Sequence, residues 1–227
     1  MNAATSSSTA PYPGLRPFTQ EDAALFFGRE TETNEMLTRL EAQPDFRFLA
    51  VIGASGSGKS SLVRAGLLPA LSQGFLLGAP ADWQFVTVRP GDAPLRNLAN
   101  VWVDTFHPQT AQLDTAESER YSFVLAQLRA GPLGLVRAYR GEKATQGHAV
   151  LILIDQFEEL FRFRRERDSA RRAQPVPSTT PSGQDEPLDE TSHTETTPMT
   201  DNARTLEQQR NEAAAFVELL LATARQT

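Results

Sequence analysis

The chain contains no cysteine. Disulfides, thiolate zinc sites and cysteine nucleophiles are thereby excluded, and the absence is compatible with a reducing cytosol. Histidine is scarce as well: His107, His148 and His193 are scattered, with no metal-ligand spacing among them. Long hydrophobic runs are missing. The longest strongly apolar stretch, Ala149 to Ile154, is far too short to span a bilayer. The Ser/Thr/Ala-rich start, Met1 to Ala10, has neither a basic n-region nor an apolar h-region, so it does not read as a signal peptide. There is no excess of positive charge; a net charge of −6 argues against a dedicated nucleic-acid binder. No internal repeat is found. What is present, 227 residues with 40% hydrophobic and 22% charged side chains, suits one soluble globular domain with appendages. A cytoplasmic location is the expectation.

Against this background one stretch stands out. Phe48-Leu-Ala-Val-Ile is an uncharged apolar run that reads as a buried strand, followed by Gly53-Ala54-Ser55-Gly56-Ser57-Gly58-Lys59-Ser60-Ser61 and then a helical pattern through Leu62, Val63, Ala65, Leu67 and Leu68. Strand, glycine-rich turn and helix in that order raise the Gly-x-x-x-x-Gly-Lys-Ser pattern above a Gly/Ser-rich loop that binds nothing. Glycines let the backbone close around phosphate oxygens, and the amides of the turn and of the helix start point at the anion. Lys59 supplies positive charge to the terminal phosphates, and the Ser60 hydroxyl is placed to ligate Mg²⁺. Gly53 to Ser61 thus form the expected phosphate cradle of a nucleotide-binding P-loop.

The rest of the chain reads as an α/β fold with a parallel sheet. Residues 1–10 are expected to be disordered. Tyr12-Pro-Gly-Leu-Arg-Pro-Phe18 is extended, Thr19 caps a short helix with Asp22 three residues on, and a further helix carries Met36, Leu37 and Leu40 until Pro44. Gln84 to Arg89 is a second strand, closed by Pro90-Gly91. Asp92 is expected to cap a helix with Leu95, Leu98, Ala99, Trp102 and Phe106 on one face. Helices over about Glu117 to Arg129 and Leu133 to Tyr139 precede a third strand, Ala149 to Asp155. From Arg164 to about Asn202 almost no large apolar residue occurs, and disorder is expected. The arginine-rich front of that segment, Arg162 to Arg172, reads as a solvated helix extension in preference to a nucleic-acid patch. A last helix, about Ala203 to Arg225, presents Ala213, Phe216, Val217, Leu220, Leu221 and Ala224 on one face for packing on the sheet.

Ile152-Leu-Ile-Asp155-Gln-Phe-Glu158-Glu159 has the form of a Walker B strand. An aspartate leaves the carboxyl end of a buried strand, where ligands sit in open α/β sheets, and can hold Mg²⁺ opposite Ser60. Glu158 or Glu159 is a candidate to orient or deprotonate an attacking water. The bland alternative is that Asp155 caps the next helix and the glutamates favour its first turn; the two roles can coexist.

Tyr12 to Phe18, Phe26-Phe-Gly-Arg-Glu30, Gly53 to Leu71 and Asp155-Gln-Phe-Glu-Glu-Leu-Phe161, taken together, resemble the novel STAND family of NTPases, and specifically its first subgroup, related to AAA+ and NACHT ATPases. The resemblance covers about residues 11–163 and the last helix. It implies a three-layer P-loop NTPase sandwich and an ATP-dependent switch, in which a sensor region controls the NTPase and an effector, and members assemble when activated. It also implies that Phe27, Gly28 and Arg29 lie beside the adenine and ribose, although Phe27 reads equally as a core aromatic. In the implied sheet a fourth strand lies between the first and third. No sequence for it, for a fifth strand, for a lid or for repeats follows here, so a truncated N-terminal fragment is expected, with 11–163 and 203–227 as the core and 164–202 as an insert. The expectation is three parallel strands with open edges, the first and third either spaced apart or closed together.

The leading functional expectation is an ATP- and Mg²⁺-binding switch module with slow or absent hydrolysis on its own. Its partners would be nucleotide, itself, or sensor and effector domains, with no membrane and no nucleic acid. The alternatives are a non-catalytic fragment that pairs with a full-length partner through its open sheet, and a P-loop small-molecule kinase. The last needs an arginine-bearing lid and an acceptor pocket, for which no sequence is apparent. No Asn/Thr-Lys-x-Asp guanine-reading motif occurs.

Overall fold

Two apolar runs pair in parallel: β1 (Trp83–Val88) and β2 (Ala149–Ile154), in register from Trp83 with Ala149 to Val88 with Ile154. Because side chains alternate across a strand, this register sorts them onto two faces. The even-numbered residues Val86, Val88, Val150, Ile152 and Ile154 enter one apolar cluster, and the odd-numbered Trp83, Phe85, Leu151 and Leu153 enter another. Both faces are covered by helices, as a parallel sheet requires. The computed structural model describes residues 14, 16–42, 48–80, 82–108, 114–142, 148–161 and 201–225. The segments expected to be disordered, 1–10 and most of 164–202, lie outside the described residues, as do Pro44 and the arginine-rich stretch 162–172.

On the odd face lie α1 (Glu30–Glu41) and α2, the helix that carries Lys59. Helix α2 has three contiguous parts, Lys59–Ser61, a wider π-helical stretch Leu62–Leu67, and Leu68–Ser72. Pro69 has no N–H to return to the preceding turn. The π-turn, in which the Leu68 N–H reaches back to Val63 O, takes up that mismatch without ending the helix. Leu62, Val63, Leu67, Leu68 and Leu71 face inward against Met36 and Leu37 of α1. The two helices touch closely at Gly66, where a Cβ would stand 2.6 Å from Thr33 Oγ1. Only glycine permits that approach.

On the even face lie α3 (Pro94–Phe106), α4 (Asp114–Arg129), α5 (Gly134–Gly141) and α6 (Asp201–Ala224). Trp102 is fully buried and its ring lies 4.7 Å from that of Phe106. Val124 and Leu128 of α4, Leu135 and Ala138 of α5, and Phe216 and Leu219 of α6 close the cluster.

Several expectations are corrected. Phe48–Ile52 forms no strand: the sheet among the described residues has two strands, not three. Leu49 and Val51 do pack into the odd-face cluster, but Ile52 is 91% exposed, and the segment joins no sheet among the described residues. A strand is defined by its partner, and apolar alternation alone does not provide one. With the first expected strand not formed, neither arrangement expected for the first and third strands occurs among the described residues. Asp92 does not cap α3. Ala93 is the N-cap and Pro94 opens the helix, where its fixed φ is pre-organised. The last helix packs chiefly on α3 and α5, not on the sheet, and its inward face is turned: Leu219 is buried while Leu221 is 40% exposed. Phe216→Ala is accordingly expected to cost about 3–5 kcal/mol of unfolding free energy. Leu221→Ala should stay within about 0.5 kcal/mol. Urea titrations followed by tryptophan fluorescence measure both, and similar losses would mean that α6 does not dock through Phe216.

Candidate functional site

The turn before α2 has the backbone that the motif demands. Gly56 and Gly58 adopt left-handed φ of 76° and 82°, a region that side chains resist. The turn is closed by Ser57 N–H donating to Ala54 O (3.2 Å), and Gly58 begins the helix with Leu62 N–H on its carbonyl at 2.8 Å. Gly58 offers no side-chain cap. The first amides of α2 therefore lack the acceptor that a Ser or Asp cap gives, and the helix dipole adds positive potential at the same place. Lys59 Nζ folds back over the turn and donates to Gly53 O and Ala54 O at 2.8 and 2.9 Å.

Across the sheet, Asp155 directly follows β2. Its N–H donates to Val88 O at 2.9 Å, which extends the ladder by one bond and fixes where the carboxylate leaves the sheet. Gln156 then takes φ of 59°, a left-handed conformation in a residue that has a Cβ. That local strain, about 1–2 kcal/mol in general, turns the chain into the 3₁₀ turn Phe157–Phe161. The result is a meeting of residues 95 positions apart: Ser60 Oγ donates to Asp155 Oδ1 at 3.1 Å. Arg64 donates to the other oxygen, Oδ2, at 2.7 Å, and Arg89 lies 3.8 Å from it.

Ser60 and Asp155, the expected metal ligands, are thus side by side. Their oxygen separation is close to the roughly 3 Å between adjacent oxygens around an octahedral ion with bonds of about 2.1 Å. Two hard oxygens of this kind fit Mg²⁺, which takes few protein ligands and completes its shell with water and phosphate. Among the described residues no group of three or more His, Asp or Glu could hold a metal by itself. The two glutamates part company. Glu159 accepts the Gly91 N–H at 3.2 Å and so tethers the loop that leaves β1, whereas Glu158 faces solvent.

The leader segment lies against this end of α2. Phe18 N–H donates to Ser61 Oγ at 3.1 Å, and the rings of Phe18 and Phe26 are 5.6 Å apart. Ser61, read from sequence as part of the phosphate cradle, therefore engages the leader with its side chain. Phe27 is 76% exposed, which rules out the core-aromatic alternative. Gly28 is left-handed at φ 80°, with its N–H on Glu30 Oε1 at 3.0 Å. That amide, followed by Glu30's own, holds the Glu30 carboxyl below its ordinary pKa. Arg29 pairs with Glu32 at 2.7 Å, and its guanidinium comes within 4.0 Å of where a Cβ on Gly58 would stand. The leader and the phosphate turn are thus neighbours.

Sequence reading missed Arg64 and Arg89. Arg64 lies four residues beyond Ser60 and so on the same helix face, a signal that was available. Arg89 follows β1 directly, on the strand that neighbours Asp155.

The sequence profile of the family described as Novel STAND NTPase 1 matches residues 11–227. The chain belongs to that family. It is therefore a STAND-type NTPase module, and the resemblance of the separate motifs extends over nearly the whole sequence. No curated protein and no solved structure was found to match the chain. Among the described residues of this STAND NTPase no helix is long and apolar enough to cross a membrane.

The leader of this STAND NTPase carries its own anchor. Arg16 donates to both oxygens of Asp22, at 2.6 and 3.0 Å, and the Thr19 N–H adds a third bond at 2.8 Å. Foremost the guanidinium, then the Thr19 amide, hold the Asp22 carboxyl well below the usual carboxylate range. The folded pKa is below the unfolded value of about 3.9, so this contribution is complete above that pH. It is lost as pH falls from there through the folded pKa. Asp22→Asn is expected to lower stability at pH 7 and to flatten the decline seen below about pH 4. Urea midpoints between neutral and strongly acidic pH measure this, and parallel curves for the two proteins would contradict it.

Proposed function

We propose that the chain is an ATP-binding switch module of a STAND-type NTPase, using Mg²⁺ held by Ser60 and Asp155. The observation that carries this reading is the 3.1 Å contact of those two side chains at the head of α2. A glycine-rich turn alone can bind nothing; a turn, a lysine, a hydroxyl and a strand-end carboxylate converging on one point suit a nucleoside triphosphate with its metal. The amides of Gly53 to Ser61 would receive the phosphates. Lys59 would exchange two neutral carbonyl acceptors for charged phosphate oxygens, which accept stronger hydrogen bonds. Phe27, Gly28 and Arg29 are assigned to the base and ribose side. An exposed aromatic there and an arginine close to Gly58 support that assignment.

Mg²⁺, when bound, supplies charge neutralisation across the terminal phosphates. Hydrolysis is the weaker half of the reading. Glu159 is engaged with the Gly91 amide and Glu158 is exposed, so neither is held against the Ser60–Asp155 pair by a contact in the structure. We assign binding to the module and at most slow turnover to it alone.

A second reading, association through a sheet edge, is favoured by the 91% exposure of Ile52 and by a sheet of only two strands among the described residues. Size-exclusion chromatography with and without ATP and Mg²⁺ separates the two: nucleotide-independent association supports the second. For the first, calorimetry of ATP binding to Lys59→Ala is decisive. One charged hydrogen bond contributes about 1.5–3 kcal/mol, so affinity should fall about ten- to a hundredfold. Equal affinity of variant and wild type would defeat the nucleotide reading.

A further inference from the structure

We propose that Arg64 is an internal occupant of the cation position at Asp155, competing with a divalent ion for the same carboxylate oxygen. The inference rests on Asp155 being the metal carboxylate, and deepens that reading by assigning a regulator to it.

Asp155 carries one negative charge, and its side chain is 12% exposed. Its Oδ2 receives Arg64 at 2.7 Å and lies 3.8 Å from Arg89, so two guanidinium groups face a single carboxylate. Its Oδ1 receives the Ser60 hydroxyl. Both oxygens that a metal would use are therefore engaged from within the chain, and the local balance is positive. A dication approaching Oδ2 would have to come within a few ångströms of Arg64. Phosphate oxygens at the turn supply the missing negative charge, so metal alone is resisted and metal with triphosphate is accepted.

The pair is also built to part. Arg64 makes a single N–H contact to Asp155 and not the two-pronged fork that makes arginine–carboxylate pairs strong. Its Nε is buried with no hydrogen-bond partner. A mostly buried guanidinium left partly unsatisfied gives back part of what the ion pair contributes. Arg64 is therefore a positioning residue: it holds the carboxylate in place with a charge that a metal–nucleotide complex displaces. On the adjoining turn Glu158 is exposed and Glu159 is held on the Gly91 amide.

The test uses Mn²⁺ alone, read by electron paramagnetic resonance, on the whole chain without nucleotide. Arg64→Met should bind Mn²⁺ more tightly than wild type by about tenfold or more, the equivalent of one charged hydrogen bond. Arg64→Lys, which keeps the charge, should stay close to wild type. Adding Asp155→Asn to Arg64→Met should abolish the gain. Equal, weaker or undetectable binding by Arg64→Met, or a gain that survives Asp155→Asn, would overturn the proposal. If Arg64→Met does not fold, Arg89→Met replaces it. That guanidinium is largely exposed, and its removal should raise Mn²⁺ affinity in the same direction by a smaller factor; no rise would equally overturn the idea. Since no nucleotide is present, this outcome is separate from the Lys59→Ala measurement. Failure here with ATP binding intact removes the competition, not the nucleotide site.

Discussion

The meeting of Asp155 with the head of α2 is the constraint around which the molecule is arranged. It needs β2 to end level with β1, so that the Asp155 N–H can donate one more ladder bond to Val88 O. It needs the left-handed Gln156 to turn the chain away immediately afterwards, before the carboxylate is buried in the next element. And it needs α2 to sit on the odd face of the sheet, which the leucines of that helix secure by packing on Trp83, Phe85, Leu151 and Leu153. None of these is a property of the glycine-rich turn. The turn shapes a cup, but the sheet decides what stands opposite it.

How much of this could be read in advance differs by level. The apolar runs ahead of Pro90-Gly91 and ending at Asp155 found β1 and β2 within a residue at each end, and the capping signal at Thr19 and Asp22 is realised with both reciprocal bonds. The helical pattern after Lys59 was legible, though not the π-turn that accommodates Pro69. The misses share a cause. Phe48–Ile52 has the composition of a strand, yet strand formation is a property of pairs, and a single segment says nothing about its neighbour. The same holds for α6. Its apolar stripe was visible, but whether Leu219 or Leu221 is buried depends on the groove that α3 and α5 present.

In the site, the residues named in advance are those with one strong chemical reason, and those with a contextual reason were passed over. Lys59, Ser60 and Asp155 follow from what phosphate and magnesium require. Arg64 was not singled out, although its spacing from Ser60 places both on the same side. Ser61 was read only as part of the motif; its hydroxyl accepts the Phe18 amide, and only the path of the leader could reveal that. Phe27 was balanced between interior and ligand, and its exposure decides against the interior.

The close seat of α1 on α2 at Gly66 bears on how the leader can move. With Thr33 filling the space that a Cβ would need, neither helix can slide along the other without a steric collision. Sliding is the usual way packed helices accommodate a shift, so its loss couples α1 to α2 as one lever arm. Gly28 and Arg29, which enter α1, are then carried along with any displacement of the phosphate turn and cannot drift from it independently.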